Sequence, residues 1–392
     1  MKILSVNAGS SSLKFQMYEM PEEKVLISGV FERIGIGNSF YTIKLNGEKI
    51  KKEREVSNHE DAVKILTEEL LENKVVSSLD EIEAIGHRMV HGGDKYQTST
   101  IIDEDVIKAT EEFLDLAPIH IPANLTGVRA FQKIIPNATA VAVFDTSFHQ
   151  TLPKEAYIYP VPYEWYEKYG VRKYGFHGTS HKYVSMRMNE ILGRTDTKII
   201  TCHIGSGGSI SAVLNGKSID TSLGFTPNAG IVMGTRSGDI DALIIPFIMK
   251  KENLTISEVD NILNKKSGLL GISKKYSDSR DIEEGIKNGD ELCKLAQDIY
   301  VRRIVEYIAK YYVLLGGCDA IVMTAGVGEN SISTRKQILD KLSVLGVEID
   351  EERNNIRGEE QLITKDSSKI PVWVIPTDEE LMIARDTYEL AK

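Results

Sequence analysis

The chain lacks any run of apolar residues that approaches the ~20 needed by a membrane-spanning helix. Its opening segment does not read as a secretory signal either, because Lys2-Ile3-Leu4-Ser5-Val6 breaks at once into a polar turn. Cysteine is scarce. Cys202, Cys293 and Cys318 are odd in number and carry no metal-type spacing, so they are expected as reduced, mostly buried thiols in a cytoplasmic protein. The Asn-x-Thr triplets at Asn124, Asn137 and Asn253 then have no glycosylation meaning. Basic excess is also missing. With 47 Lys and Arg against 57 Asp and Glu the net charge is −10, which argues against a general nucleic-acid binder but leaves room for a local cationic pocket. Two nucleotide motifs are absent as well. Gly216-Lys217-Ser218 approaches a Walker loop, but Ser211 stands where its first glycine belongs, and Ile210 occupies the last glycine position of the dinucleotide pattern around Gly205.

What is present is a device used more than once. Apolar strands run into small-residue turns at Ile3–Ser12, ending Asn7-Ala8-Gly9-Ser10-Ser11-Ser12, and at Ile199–Gly208, ending Gly205-Ser206-Gly207-Gly208. A third follows at Ala320–Asn330, ending Gly326-Val327-Gly328-Glu329-Asn330. A buried strand that ends in Gly and Ser exposes backbone N–H groups and hydroxyls with little bulk in the way, as close approach of a phosphate requires. The first two share a Gly-Ser step, re-enter an alternating strand and lie nearly 200 residues apart, which suggests a duplicated fold that holds a nucleotide. A length of 392 residues with 42% hydrophobic and 27% charged content suits two ordinary globular domains.

The coarse pattern agrees. Leu13, Phe15 and Met17 alternate with Lys14, Gln16 and Tyr18, and strands are expected at 24–33, 40–45, 82–89 and 138–145. Ser57-Asn58-His59-Glu60 reads as a capping box that opens a helix, with further helices near 103–116 and 124–133. A Pro- and Tyr-rich stretch over 152–169 marks the crossing into the second half. There strands at 198–204 and 209–214 flank the second turn, and Asn215-Gly216 reads as a tight hairpin turn. A long helix over 291–315 should present Leu292, Leu295, Ala296 and Ile299 on one face. Thr377-Asp378-Glu379-Glu380 reads as a second capping box before a terminal helix.

Several residues carry chemistry, each with a plainer alternative. Asn7, Ser10, Ser12 and Lys14 form either a phosphate cradle or a hairpin turn with a surface lysine. His87 with His91 and His177 with His181 sit four apart, a zinc-type spacing on a helix, though neither segment is a persuasive helical pair. Arg88, at a strand end before Gly92-Gly93, could fork onto a bound carboxylate or phosphate, or simply join a structural ion pair. Arg236 lies in the Gly-flanked segment Met233-Gly234-Thr235-Arg236-Ser237-Gly238-Asp239, suited to reach into a cleft. Asp145 ends a strand where open α/β sheets keep their chemistry, or caps the next turn.

Taken together, Val6–Lys14, Gly86–Gly93, Tyr174–His181, Met233–Asp241 and Gly326–Asn330 resemble the acetate kinase family, in the family's order and over essentially the whole chain. The resemblance implies an α/β, two-lobed actin-like ATPase (ribonuclease H-like) fold, with duplicated mixed-sheet domains and a cleft between them. An N-terminal lobe would span 1–149, with a terminal helix over 380–392 returning to it, and a C-terminal nucleotide-binding lobe would span 150–379. It further implies reversible, in-line, Mg²⁺-dependent phosphoryl transfer from ATP to acetate, giving acetyl phosphate and ADP, with Mn²⁺ as an alternative ion. By matching motif, Asn7 and Glu379 would lie at the metal, and Ser10, Ser12 and Lys14 near the phosphates. Arg88 would bind the substrate carboxylate, Asp145 would be the catalytic carboxylate, and His177 and Arg236 would stabilise the transferring group. The nucleotide would meet His203, Ile204, Gly205, Ser206, Gly207, Asp278, Ser279, Arg280, Gly326, Val327, Gly328, Glu329 and Asn330. Val90, Ile119, Phe176 and Pro227 would line a pocket for the acetate methyl. A cytoplasmic homodimer without nucleic-acid or membrane partners is implied too. Ser206, Asp378, Asn228-Ala229 and Ile121 depart from the family pattern, and the last two bear on acyl-chain selectivity. The competing readings are a propionate or butyrate kinase of the same family and, from another class, a non-catalytic actin-like ATP switch.

Overall fold

The computed structural model describes residues 1–117 and 120–392. The chain divides into two compact units, one made of Met1–Phe148 with Asp378–Lys392 and the other of His149–Thr377.

The first unit is built on eight strands: β1 (Lys2–Ala8), β2 (Ser12–Glu19), β3 (Lys24–Glu32), β4 (Phe40–Leu45), β5 (Glu48–Glu53), β6 (Ile82–Met89), β7 (Thr100–Ile101) and β8 (Thr139–Phe144), in the order β5-β4-β3-β2-β1-β6-β8-β7. Strands β1, β2 and β3 form an antiparallel meander, whereas β1, β6 and β8 are parallel. Ile3, Leu4 and Val6 are all buried, as a strand covered on both faces demands. Leu4 and Val6 pack with Leu66 and Phe131 of the helices His59–Glu72 and His120–Ile134. Ile3 packs on the other face with Tyr18 and with Ala384 of the terminal helix Glu379–Ala391. Tyr18, expected on a polar face, is therefore buried beneath that helix. Gly86 permits the close approach, because a Cβ there would sit 2.2 Å from Oγ1 of Thr387.

The second unit contains β9 (Lys198–Ile204), β10 (Gly208–Leu214), β11 (Lys217–Thr221), β12 (Ala320–Thr324), β13 (Gln361–Leu362) and β14 (Val372–Val374), ordered β11-β10-β9-β12-β14-β13. An antiparallel meander again feeds a strand flanked by parallel partners, so β11-β10-β9-β12-β14 repeats the sequence of roles in β3-β2-β1-β6-β8. The expected hairpin turn is present, with Asn215 and Gly216 at φ +51° and +76°. The long helix Glu291–Leu315 has the expected bounds but a different buried face. Cys293, Ala296, Tyr300, Ile304, Ile308 and Tyr311 are buried, whereas Leu292 and Leu295 are 36% and 47% exposed.

Other local expectations shift. Asn58 caps the first helix by accepting from the Asp61 N–H, so Ser57 is not the capping residue. Asp378 plays that part for the terminal helix, accepting from the Leu381 N–H, while Thr377 lies outside it. The helix expected over 103–116 runs only Glu104–Glu111, and Phe113 turns away to stack on His91 at 5.5 Å. The helix expected from residue 124 already begins at His120, since Pro122 in a first turn forfeits no intrahelical hydrogen bond.

Candidate active site

In the first unit, parallel β6 and β8 end side by side and deliver Arg88 and Asp145 to the same edge, where the Asp145 N–H donates to the Met89 carbonyl at 2.9 Å. Arg88 forks onto the Asp145 carboxylate, Nε to Oδ1 at 2.9 Å and NH2 to Oδ2 at 2.6 Å. Asp145 is almost wholly buried and Arg88 partly so, making this a charge-assisted pair with its carboxylate held out of water. Asp145 first, then burial in opposition, then Glu379 and Glu380 set the guanidinium, whose pKa rises. The ion pair offered as the plainer reading of Arg88 is present.

Glu379 opens the terminal helix. Burial first, with Asp145 and Glu380 adding to it against Arg88 and Lys14, pushes its carboxyl up to about 6. Lys14 of β2 reaches Glu380 at 2.5 Å, so its cation is already partnered. Asn7 lies at the end of β1, opposite Lys14 in register. Among the described residues no three His, Cys, Asp or Glu side chains gather as a metal cage. The donor set of a carboxylate and an amide oxygen nevertheless fits a hard divalent ion that keeps most of its waters. The Gly9 N–H donates to the Ser12 carbonyl at 2.9 Å, closing the first turn, with Ser10 exposed on it. Asn124, not singled out in the sequence, fastens this region: its Nδ2 donates to the Ala8 carbonyl at 2.9 Å and its Oδ1 accepts from the Val90 N–H at 3.1 Å. Val90 packs partly buried with Met89, Ile121 and Phe144. Ile119 lies outside the described residues.

The second unit gathers two histidines and an arginine around its glycine turn. His177 stands at φ +57°, a strained left-handed position that starts the helix Gly178–Leu192, and its ring stacks on His203 at 4.2 Å. A Cβ on Gly207 would lie 3.6 Å from both Nε2 of His177 and NH1 of Arg236, so the three meet at one point. Arg236 donates to the Pro227 carbonyl at 3.2 Å, and no carboxylate pairs with it among the described residues. Burial alone lowers its pKa, the mark of a guanidinium without its anion. Its loop is tightly built. Asp239 accepts from the Gly230 N–H at 2.7 Å and from the Tyr307 hydroxyl, and Gly238 at φ +68° leaves no room for a Cβ, which would fall 2.6 Å from the Gly230 carbonyl oxygen. Phe176 is buried, with its carbonyl accepting from Nε2 of His149 at 3.0 Å.

Beside these lies a cavity of about 470 Å³, in the range of small-molecule sites. Gly205, Ser206, Asp278, Ser279, Arg280, Gly326, Val327 and Asn330 line it, so residues from three separate segments do converge. Ile204 instead belongs to the core, Gly207 faces His177 and Arg236, and His203 stacks on His177. Gly328 and Glu329 do not line the cavity either. The Glu329 carboxylate accepts from the N–H groups of Ala325 and Thr377, at 2.7 and 3.0 Å, stabilising Ala325 at φ +64° where β12 gives way to the short helix Ala325–Asn330 rather than to the expected turn. Arg335, fully buried, donates to the Gly328 and Glu329 carbonyls at 3.1 and 2.9 Å. Tyr300, Glu283 and Arg357 also line the cavity and were missed in the sequence, where no turn signal marks them.

The profile of the Acetokinase family matches residues 2–385. The chain belongs to the acetokinase family. The acetate kinase of Bacillus velezensis is 54% identical over 393 residues, covering all of both chains. Among solved structures, the acetate kinase of Porphyromonas gingivalis superposes with a TM-score of 0.94 at 46% identity, covering 100% of each chain. A propionate kinase from Francisella tularensis is similar to the same extent, with a TM-score of 0.94, 43% identity and 99% of each chain covered. The two mixed sheets are thus those of an acetokinase-family member, an α/β fold of the actin-like ATPase type.

Proposed function

We propose that this acetokinase-family chain catalyses reversible transfer of the γ-phosphoryl group of ATP to the carboxylate of acetate. The observation that carries this reading is the Arg236 guanidinium, half-buried with no carboxylate partner among the described residues and gathered with His177 at the Gly205–Gly208 turn. Beside it lies the cavity lined by Asp278, Arg280 and Asn330. A carboxylate is already a competent nucleophile, so the barrier lies in bringing two anions together and in the charge on the equatorial oxygens of the transferring group. Arg236 and His177 supply donors to those oxygens, in a pocket of low dielectric where such donors act most strongly.

In the first unit, Arg88 orients the acid, and Asp145 positions Arg88 by occupying Nε and one NH2 proton, which leaves the remaining N–H groups for the incoming carboxylate. Glu379 and Asn7 are the residues suited to hold Mg²⁺, which when bound supplies positive charge to the phosphates. Ser10 and Ser12 offer hydroxyls to phosphate, and Val90, Phe176 and Pro227 offer apolar surface to the acyl chain. Trapping the acyl phosphate as a hydroxamate with acetate, propionate and butyrate tests the reading. Acetate should give the largest kcat/KM, and a larger value for propionate would move the chain to the second reading, favoured by the Francisella tularensis structure.

The helix Ile244–Glu252 buries none of its residues, and Leu243 and Phe247 are 73% and 59% exposed. This supports assembly with a second copy. Sedimentation equilibrium should return twice the 43.7 kDa of one chain, and a single-chain mass would end that proposal. Among the described residues no helix is long and apolar enough to cross a membrane. With its unpaired cysteines this supports a cytoplasmic site, which fractionation of the cell would test.

A further inference from the structure

Behind His177 lies a chain of buried side-chain hydrogen bonds. The Ser209 hydroxyl sits between Nδ1 of His177 at 2.9 Å and Nε2 of His181 at 2.7 Å. On the far side of the same ring, Nδ1 of His181 meets Oγ1 of Thr201 at 2.7 Å. Thr201, His181 and Ser209 are each 0% exposed, so water cannot take the place of a missing partner.

The direction of the chain follows from counting protons. A hydroxyl has one proton to give, and a neutral imidazole one N–H and one lone pair. Burial first, then His149 and His203, hold the His181 ring neutral, well below its ordinary value. Among the described residues, Nδ1 of His181 is the sole side-chain or carbonyl acceptor within reach of the Thr201 hydroxyl. Thr201 must therefore donate to Nδ1. His181 must then carry its proton on Nε2 and donate it to the Ser209 oxygen. Ser209, in turn, has Nδ1 of His177 as its acceptor. Run the opposite way, the chain would strand the Thr201 proton in an apolar strand, at a cost of about 1–3 kcal/mol.

We infer that Thr201, His181 and Ser209 are positioning residues that fix neutral His177 in the tautomer with its proton on Nε2. This is the nitrogen that lies beside Gly207 and Arg236. The inference deepens the proposed reaction and rests on it for its purpose: a ring so fixed presents a hydrogen-bond donor, and no lone pair, to the oxygens of a transferring phosphoryl group. A lone pair there would repel the same oxygens. The relay keeps the donor in place without a charge on His177, so the donor persists above the ordinary histidine range.

Nitrogen-15 NMR of the full chain labelled at histidine reads the tautomer directly, with the His177 signals identified by their loss in His177→Gln. The wild-type protein should show neutral His177 protonated at Nε2. Thr201→Val removes the donor that sets the direction while keeping shape, and should move His177 toward the Nδ1–H form. In that variant kcat should fall by about one to two orders of magnitude, while KM for ATP stays within about twofold. Thr201→Ser should restore both the tautomer and kcat. Wild-type His177 protonated at Nδ1, or an unchanged tautomer in folded Thr201→Val, would overturn the inference. Should Thr201→Val not fold, the wild-type tautomer decides alone. An Nε2–H tautomer in a chain that forms no acyl phosphate would refute the proposed reaction and leave the relay standing.

Discussion

The two units share a strand order and treat their arginines in opposite ways. In the first, Arg88 is forked onto Asp145 and its charge is held more firmly than in water. In the second, Arg236 is half-buried with no carboxylate beside it among the described residues, and burial pushes its pKa down. A paired arginine is fixed in direction before substrate arrives. One held without its anion is destabilised until a ligand brings negative charge, so its stabilisation is deferred to the complex and is greatest where charge develops. The fold is duplicated; the electrostatics are not.

The sharpest break in this contrast is Arg236→Ala. Turnover should fall by about 10³-fold or more, roughly 4 kcal/mol of barrier, with ATP affinity changed only a few-fold, as steady-state kinetics and equilibrium binding would show. Turnover within tenfold of wild type would remove Arg236 from the mechanism. Stability should sort the two units the other way. Asp145→Ala leaves the half-buried Arg88 without its partner and should cost about 3 kcal/mol in urea unfolding, whereas Arg236→Ala should leave stability unchanged or raised.

The third test concerns pH. The Glu379 carboxyl lies at about 6 in the folded chain, raised from an ordinary 4.5, so between those values the native state binds more protons than the unfolded one. Unfolding free energy from this group therefore falls as pH rises from about 4.5 to 6, and the deficit is full above that window. Without metal or nucleotide, Glu379→Gln should be more stable than wild type above pH 6 by about 1–2 kcal/mol. The gain should shrink as pH drops toward 4.5, and a gain independent of pH would sink the assignment. The smallest effect is expected at the acyl pocket. Val90→Ala should shift the acetate-to-propionate kcat/KM ratio toward propionate by about 1 kcal/mol or less, measured by hydroxamate trapping.

Backbone chemistry was readable from the sequence; partnerships across it were not. Asn215-Gly216 announces its turn because few residue pairs accept two positive φ values, and the small residues after β1 and β9 announce theirs, whereas the turn expected after β12 is the short helix Ala325–Asn330. The long helix kept its ends, Asp290 at the start and Gly316 at the close, because capping is local. Its face was misjudged because hydropathy ranks Leu292 and Leu295 above Gln297, Tyr300 and Tyr311, which the fold buries instead. Asn124 joins Ala8 to Val90 across 116 and 34 residues, and nothing near it in the sequence marks that duty. Thr201 and Ser209 escaped notice for the same reason, and His181 was marked only as half of a zinc-type pair with His177, its partners across the fold being unreadable.

Trapping of a planar phosphoryl mimic tests the central claim most directly. In the presence of ADP, Mg²⁺ and acetate, aluminium fluoride should inhibit the wild-type chain by forming a long-lived complex, and Arg236→Ala should lose that complex while still binding ADP. Equal trapping by the variant, or trapping that does not require acetate, would contradict the account.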